Sequence, residues 1–220
     1  MKIEEAITLL AELPISTQAL LPLLNDYKRP YDKIDSLVNE GYLQQIKRGL
    51  YVAGNKIKTH HTELFLLANH LYGPSYVTAT SALSYWGLIP EKVTRVTSVT
   101  TRKSKLFKTH LGVFHYFHIP QEGYIIGLSQ VRLSNKQTVI MASPEKAICD
   151  LIIQTRGLNL RTKRQTMRFL KEDIRFDMSA LLTMNKAIIA DCVSYCPKSN
   201  SLLVFYKTIQ SYAETMAGFL

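Results

Sequence analysis

Four side chains along one short stretch, Tyr31, Lys33, Ser36 and Asn39, offer donors and acceptors of the kind that read base edges in a DNA groove. They are what remains once Ile34, Leu37 and Val38 are assigned to an inward helical face. Asn39 has the strongest chemistry for base reading, because its amide can pair bidentately with adenine. Lys28 and Arg29 precede the stretch and Lys47 and Arg48 follow it, all four suited to gripping phosphate. The hydroxyls of Ser16 and Thr17, at the start of an earlier helix, add two further phosphate contacts. Asp26, Asp32, Asp35 and Glu40 are interspersed and would repel phosphate wherever they faced it.

Catalytic constellations are weaker. The sequence carries no G-x-x-x-x-G-K-[ST] loop, no G-x-G-x-x-G and no H-E-x-x-H. It also lacks a Gly-Ser pair leading to spaced aspartates, the pattern of a nucleotidyltransferase. Ser143 and Lys146 match an S-x-x-K spacing, but a helix cap accounts for Ser143 and no S-D-N or K-T-G follows. The histidines are His60, His61, His70, His110, His115 and His118; in a strand His115 and His118 face opposite ways, which is poor for joint ligation. Cys192 and Cys196 stand one helical turn apart, and two ligands do not make a structural zinc site. Glu172, Asp173 and Asp177 with neighbouring Lys and Arg form the weak nuclease alternative. The expectation is no catalytic residue, no metal and no cofactor.

The elements that must position these groups can be read from the pattern. Residues 2–13 predict an amphipathic helix stopped by Pro14, and Ser16 or Thr17 caps a second helix reaching Leu24. A polar link leads to Pro30, which suits the first turn of a third helix running to Glu40, with Gly41 as its left-handed stop. The period then becomes alternating: Leu43–Ile46 and Leu50–Val52 are strands joined by the turn Lys47-Arg48-Gly49. Three short helices and a hairpin predict a winged helix-turn-helix over residues 1–58. Residues 59–220 predict a second domain, strands first and helices after: a helix over 61–72, a strand over 76–79, a helix capped by Thr80 or Ser81, several strands in 93–142, and helices from Ser143-Pro144-Glu145 to Leu220. The fold class expected is α+β, a winged helix-turn-helix followed by a mixed α/β domain with a helical C-terminus.

Charge qualifies this picture. The chain carries a net +10, which favours a polyanionic partner. Residues 1–58 hold 8 Lys+Arg against 7 Asp+Glu, whereas residues 59–220 hold 19 against 10. The excess therefore sits in the larger part, in two clusters. One comprises Lys92, Arg95, Arg102, Lys103, Lys105 and Lys108; the other comprises Arg156, Arg161, Lys163, Arg164, Arg168, Lys171 and Arg175. Arg102, Lys103, Lys105, Lys108, Arg161, Lys163, Arg164 and Arg168 are the candidate secondary basic surface, against the alternative of a solvated face. Three cysteines, all late in the chain, suit a reducing compartment. The opening MKIEEAITLL has the wrong charge for a signal peptide, and no apolar run approaches a membrane span, so a cytoplasmic location is expected.

Three stretches resemble the AbiEi family of antitoxins, from the AbiE type of phage-defence toxin–antitoxin system. The first is Ile34-Asp35-Ser36-Leu37-Val38-Asn39-Glu40-Gly41-Tyr42-Leu43 with Lys47-Arg48-Gly49-Leu50-Tyr51-Val52; the second is Thr80-Ser81-Ala82-Leu83-Ser84-Tyr85-Trp86-Gly87-Leu88; the third is Ala142-Ser143-Pro144-Glu145-Lys146-Ala147-Ile148-Cys149-Asp150-Leu151. They span about residues 30–151 in the family's order. The resemblance implies a winged helix that binds inverted repeats in its own promoter as a repressor, with no metal or nucleotide required. It implies a second domain that counteracts a nucleotidyltransferase-like toxin. In the second stretch Ala82, Leu83, Tyr85, Trp86 and Leu88 are expected to be core residues.

Alternatives remain open at this point. A winged helix also serves as a protein-binding module, and a net +1 is thin for a DNA-binding unit. The chain also fits a stand-alone winged-helix regulator with a ligand- or protein-sensing second domain, or a DNA-processing nuclease.

Overall fold

The computed structural model describes residues 2–57, 62–91 and 94–217. Lys92, His60 and His61, and the expected boundary after residue 58, lie outside the described residues. The chain is mixed α/β. No helix among the described residues is long and apolar enough to cross a membrane.

The N-terminal part begins with α1 (Ile3–Leu9), which buries Ile3, Ala6 and Ile7. It stops short of the expected residue 13, the chain continuing as turns to Pro14. A two-residue strand β1 (Ile15–Ser16) follows, then α2 (Thr17–Leu20) and a 3-10 turn over Leu21–Leu24. Pro22, which lacks an N–H, lies where the helical spacing tightens. α3 (Pro30–Asn39) starts on its proline and buries Ile34 and Leu37. Gly41, at φ +81°, reverses the chain in a conformation that strains any other L-residue. β2 (Leu43–Lys47) and β3 (Leu50–Ala53) then form the wing, with Gly49 at φ +80° in its tip. β1 pairs antiparallel with β3 at Ile15–Tyr51 and Ser16–Leu50, giving a three-stranded sheet ordered β1-β3-β2. This order of elements is compatible with a winged helix-turn-helix.

The larger part is built on a six-stranded mixed sheet ordered β6-β7-β5-β4-β9-β8. Its strands are β4 (Ser75–Val77), β5 (Arg95–Thr100), β6 (Lys105–Thr109), β7 (Gly112–His118), β8 (Leu128–Arg132) and β9 (Thr138–Ala142). β5 and β7 run parallel over six residue pairs, while β6 returns antiparallel on β7 and closes that edge. α4 (Leu64–Leu71) packs on β4, β5 and β9, and α5 (Ala79–Tyr85) packs on β5, β9 and α7 (Pro144–Gln154). After a short α6 (Gln121–Tyr124) and the sheet's last strands, the chain is helical. It forms α7, α8 (Lys163–Arg168) with a π-helical turn over Phe169–Asp173, α9 (Lys186–Tyr195) and α10 (Ser199–Ala217).

The buried apolar residues form two clusters. One, from Ile3 to Ile57, fills the small N-terminal head. The other, from Leu66 to Ile209, fills the body and takes in Leu50 and Val52 of β3. Alternate residues of a strand point to opposite faces. Tyr51 and Ala53 accordingly serve the head while Leu50 and Val52 serve the body, and β3 is buried throughout. The wing is thus a shared wall between head and body.

Candidate nucleic-acid interface

On α3 the sequence-derived face is open to solvent. Tyr31 is 62% exposed, and Asn39 is exposed with no side-chain hydrogen bond among the described residues. The helical period places Asp32 and Asp35 on the same outward side as Asn39, and both are exposed. Asp32 is paired with Arg29 at 3.4 Å, where the two side chains are 66% and 84% exposed; so open a pair contributes little. Ser36 is partly buried and donates its hydroxyl to Glu40, which holds the Glu40 carboxyl below the ordinary carboxylate range. Lys33 lies over the Tyr27 ring at 5.7 Å. Lys28 is exposed and unpaired among the described residues.

The two hydroxyls expected to contact phosphate are differently placed. Ser16 caps α2, its Oγ accepting from the Ala19 N–H at 3.1 Å, as expected of a serine at that position. Thr17 is half-buried, and its backbone N–H donates to the Gly49 carbonyl at 3.1 Å. Both residues therefore hold α2 against the wing.

At the wing tip the two cations are placed differently. Lys47 donates to the carbonyl of Leu71, the last residue of α4, so its ammonium bridges head and body. Burial, then the nearby charges of Lys105 and Arg102, depress its pKa below the ordinary lysine value. Arg48 beside it is exposed and unpaired among the described residues.

Arg102 lies in the connection that carries the chain from β5 across the end of β7 into edge strand β6, and Lys105 opens that strand. His118 anchors that connection: its backbone N–H donates to Ser104 Oγ at 2.9 Å, and its Nδ1 lies 3.1 Å from the Arg102 carbonyl. The Arg102 guanidinium and the Lys105 ammonium lie 5.7 and 5.6 Å from the Tyr72 ring centre, and Lys105 lies 4.7 Å from that of Phe107. The Tyr72 hydroxyl donates to the Lys103 carbonyl at 3.2 Å. Tyr72, just past α4, is thus the hub on which cations from the body gather beside the wing tip. No carboxylate forms an ion pair with Lys47, Arg102, Lys103, Lys105 or Lys108 among the described residues. Such a cluster repels itself and attracts a polyanion.

The helical basic cluster is more self-contained. Arg168 pairs with Glu172 at 3.0 Å, and Lys163 donates to Ser211 at 2.9 Å. Arg161 and Arg164 are exposed. Of the carboxylates in the nuclease alternative, Glu172 is taken by Arg168, and Asp177 accepts from the Ser179 N–H and hydroxyl. The described residues contain no group of three or more His, Cys, Asp or Glu able to hold a metal ion.

The two stretches in the body carry packing roles, with one correction. Ala82, Leu83 and Leu88 are buried, and half-buried Trp86 donates its indole N–H to the Ala142 carbonyl at 3.0 Å. Tyr85, expected in the core, is 40% exposed, because it falls on the outer side of α5 and packs edge-on against Phe65 and Trp86. Ser143 caps α7, accepting from the Lys146 N–H at 3.3 Å.

Lys146 itself is fully buried and pairs with Asp150 at 2.7 Å; Tyr76 and Thr78 donate to the other carboxylate oxygen at 2.9 and 2.7 Å. Burial alone would depress the Lys146 ammonium, but the adjacent Asp150 charge overrides it and raises its pKa. Burial and the same carboxylate raise that of Tyr76. Every polar atom of this pair is engaged, which makes it a structural centre inside the body. Cys149, Cys192 and Cys196 are free, buried thiols.

No family model matches the chain, and no curated protein matches it.

Proposed function

We propose that the chain is a DNA-binding transcriptional repressor and the antitoxin of a toxin–antitoxin pair, not an enzyme, working in the cytoplasm. The observation that carries the nucleic-acid part is the unneutralised cationic cluster in which wing and body meet, Lys47 with Arg102, Lys103 and Lys105 around Tyr72, and Arg48 beside it. Clustered cations bind duplex DNA by releasing its counterions, with an affinity that falls steeply as salt rises.

In this reading α3 enters the major groove and the composite cluster grips the flanking backbone. Asn39 and Tyr31 face the bases. Asp32 and Asp35, which share that face, suit cytosine amino groups, since carboxylates accept hydrogen bonds there. Arg48, Arg102, Lys103 and Lys105 supply phosphate contacts, and Lys47 fixes the wing against the body. The antitoxin role, against a nucleotidyltransferase-like toxin, rests on the three stretches that resemble AbiEi antitoxins, and the inverted-repeat operator rests on the same resemblance.

A gel-shift titration with the DNA upstream of the chain's own gene tests the repressor reading. Saturable binding that prefers this DNA to random duplex supports it; equal, weak binding to both contradicts it. Co-expression with a nucleotidyltransferase-like neighbour tests the antitoxin reading, which requires that the chain restore growth.

A further inference from the structure

Between the wing and the body lies a hollow of about 220 Å³. Its walls are apolar: Val52 from β3, Leu64 from the start of α4 and Leu111 from the turn between β6 and β7. Three polar side chains line it as well, and none has a hydrogen-bond partner among the described residues. The Thr62 hydroxyl is buried and makes no hydrogen bond. The carboxamides of half-buried Gln44 and exposed Asn55, at the solvent side, make none among the described residues. A second hollow of about 190 Å³, on the Gly41 and Gly54 side, shares Gln44 and Asn55 with the first.

Folded proteins pair nearly all their buried polar groups, and an unpaired buried hydroxyl is unfavourable unless a bound molecule satisfies it. An apolar cleft with a few convergent polar groups at a domain junction is the usual form of a small-molecule site. The lining dictates the ligand. No charged side chain is part of it, which disfavours an ionic ligand, whose desolvation nothing would offset. Each carboxamide presents a donor beside an acceptor, and another amide edge complements that pattern. The volume is below the drug-sized range of about 300–1,000 Å³, so the occupant is the size of a single small ring.

We propose that this hollow binds a small uncharged molecule carrying an amide or lactam group on an apolar frame. Gln44 and Asn55 hold the amide edge, Thr62 adds one hydrogen bond, and Val52, Leu64 and Leu111 cover the frame. The site goes beyond DNA binding and would exist whether or not the chain is a repressor.

The test is an amide-resolved NMR titration of the full chain with δ-valerolactam, and with piperidinium chloride as the charged counterpart. The expected result is saturable shifts confined to Gln44, Val52, Asn55, Thr62, Leu64 and Leu111 with the lactam and none there with piperidinium. Thr62→Val keeps the side-chain shape and should weaken binding about three- to tenfold, the value of one neutral hydrogen bond. Leu111→Trp, at the half-buried turn between β6 and β7, should fill the hollow and abolish saturation. Shifts that scatter or never saturate, an equal response to piperidinium, or an affinity that Thr62→Val leaves unchanged would overturn the proposal. No DNA enters the experiment, so its failure is distinguishable from failure of the repressor reading.

Discussion

Lys47 at the wing tip donates its ammonium to the carbonyl of Leu71 at the end of α4, fastening the head to the body at one point. Its neighbour Arg48 is left unpaired among the described residues. Two adjacent cations of the same turn thus have separate jobs, and substitution separates them. Lys47→Met removes a donor from a helix-end carbonyl and should lower stability by about 1 kcal/mol, read by urea unfolding. Arg48→Ala should leave stability within about 0.5 kcal/mol and reduce DNA affinity instead. Lys47→Met with full stability would show that the fastening is idle.

Leu50 and Val52 enter the body's core while Tyr51 and Ala53 enter the head's. Head and body should therefore unfold as one cooperative unit, with fluorescence and circular dichroism giving coincident transitions. Leu50→Ala should destabilise the whole chain by about 2–5 kcal/mol, as deletions of buried leucine do. Two resolved transitions, with only the first moved by Leu50→Ala, would contradict the shared wall.

Breaking the Lys146–Asp150 pair leaves a charge buried with its other partners in place. Lys146→Met should cost about 3–5 kcal/mol of unfolding free energy, the loss typical of removing one partner of a buried ion pair. A loss under about 1 kcal/mol would mean that water reaches Asp150 in the folded state.

Acid should destabilise the fold before the carboxylates titrate. Burial depresses His70, and burial with the nearby Arg95 charge depresses His115. The unfolded chain, with imidazoles near 6.5, takes up these protons first as pH falls. Stability should therefore be full above about pH 7 and decline as pH falls through about 6.5, the unfolded imidazole value. His70→Gln with His115→Gln should flatten the decline; an unchanged slope in the double variant would assign it to other groups.

Asn39→Ala should cost about 1–3 kcal/mol on the chain's own operator and relax discrimination at the base it reads. The same loss on random duplex would make Asn39 a backbone contact.

Local chemistry accounts for what could be read from the residues alone. Pro30 at a first turn, Gly41 and Gly49 at positive φ and Ser143 before Pro144 each announce an element boundary in one or two residues, and α3, the wing and α7 lie where those signals put them. β1 carried no such signal, because two residues become a strand only through pairing with β3. The same holds for the site. The exposure of Asn39 and Tyr31 is legible from helical period, whereas the nearness of the Lys47 charge to those of Arg102 and Lys105 comes from residues over fifty positions apart. Lys146 stands in the sequence only as the lysine of an S-x-x-K spacing, and its buried pairing with Asp150 fixes its role.

The composite cluster is tested most directly by the salt dependence of binding to the upstream DNA, for the parent chain and for an Arg48→Ala, Arg102→Ala, Lys105→Ala variant. Each lost phosphate contact should flatten the slope of log affinity against log salt by about 0.9, so the variant's slope should be shallower by roughly 2.7. A slope that does not change, with the fold intact, would contradict the claim that wing and body grip DNA together.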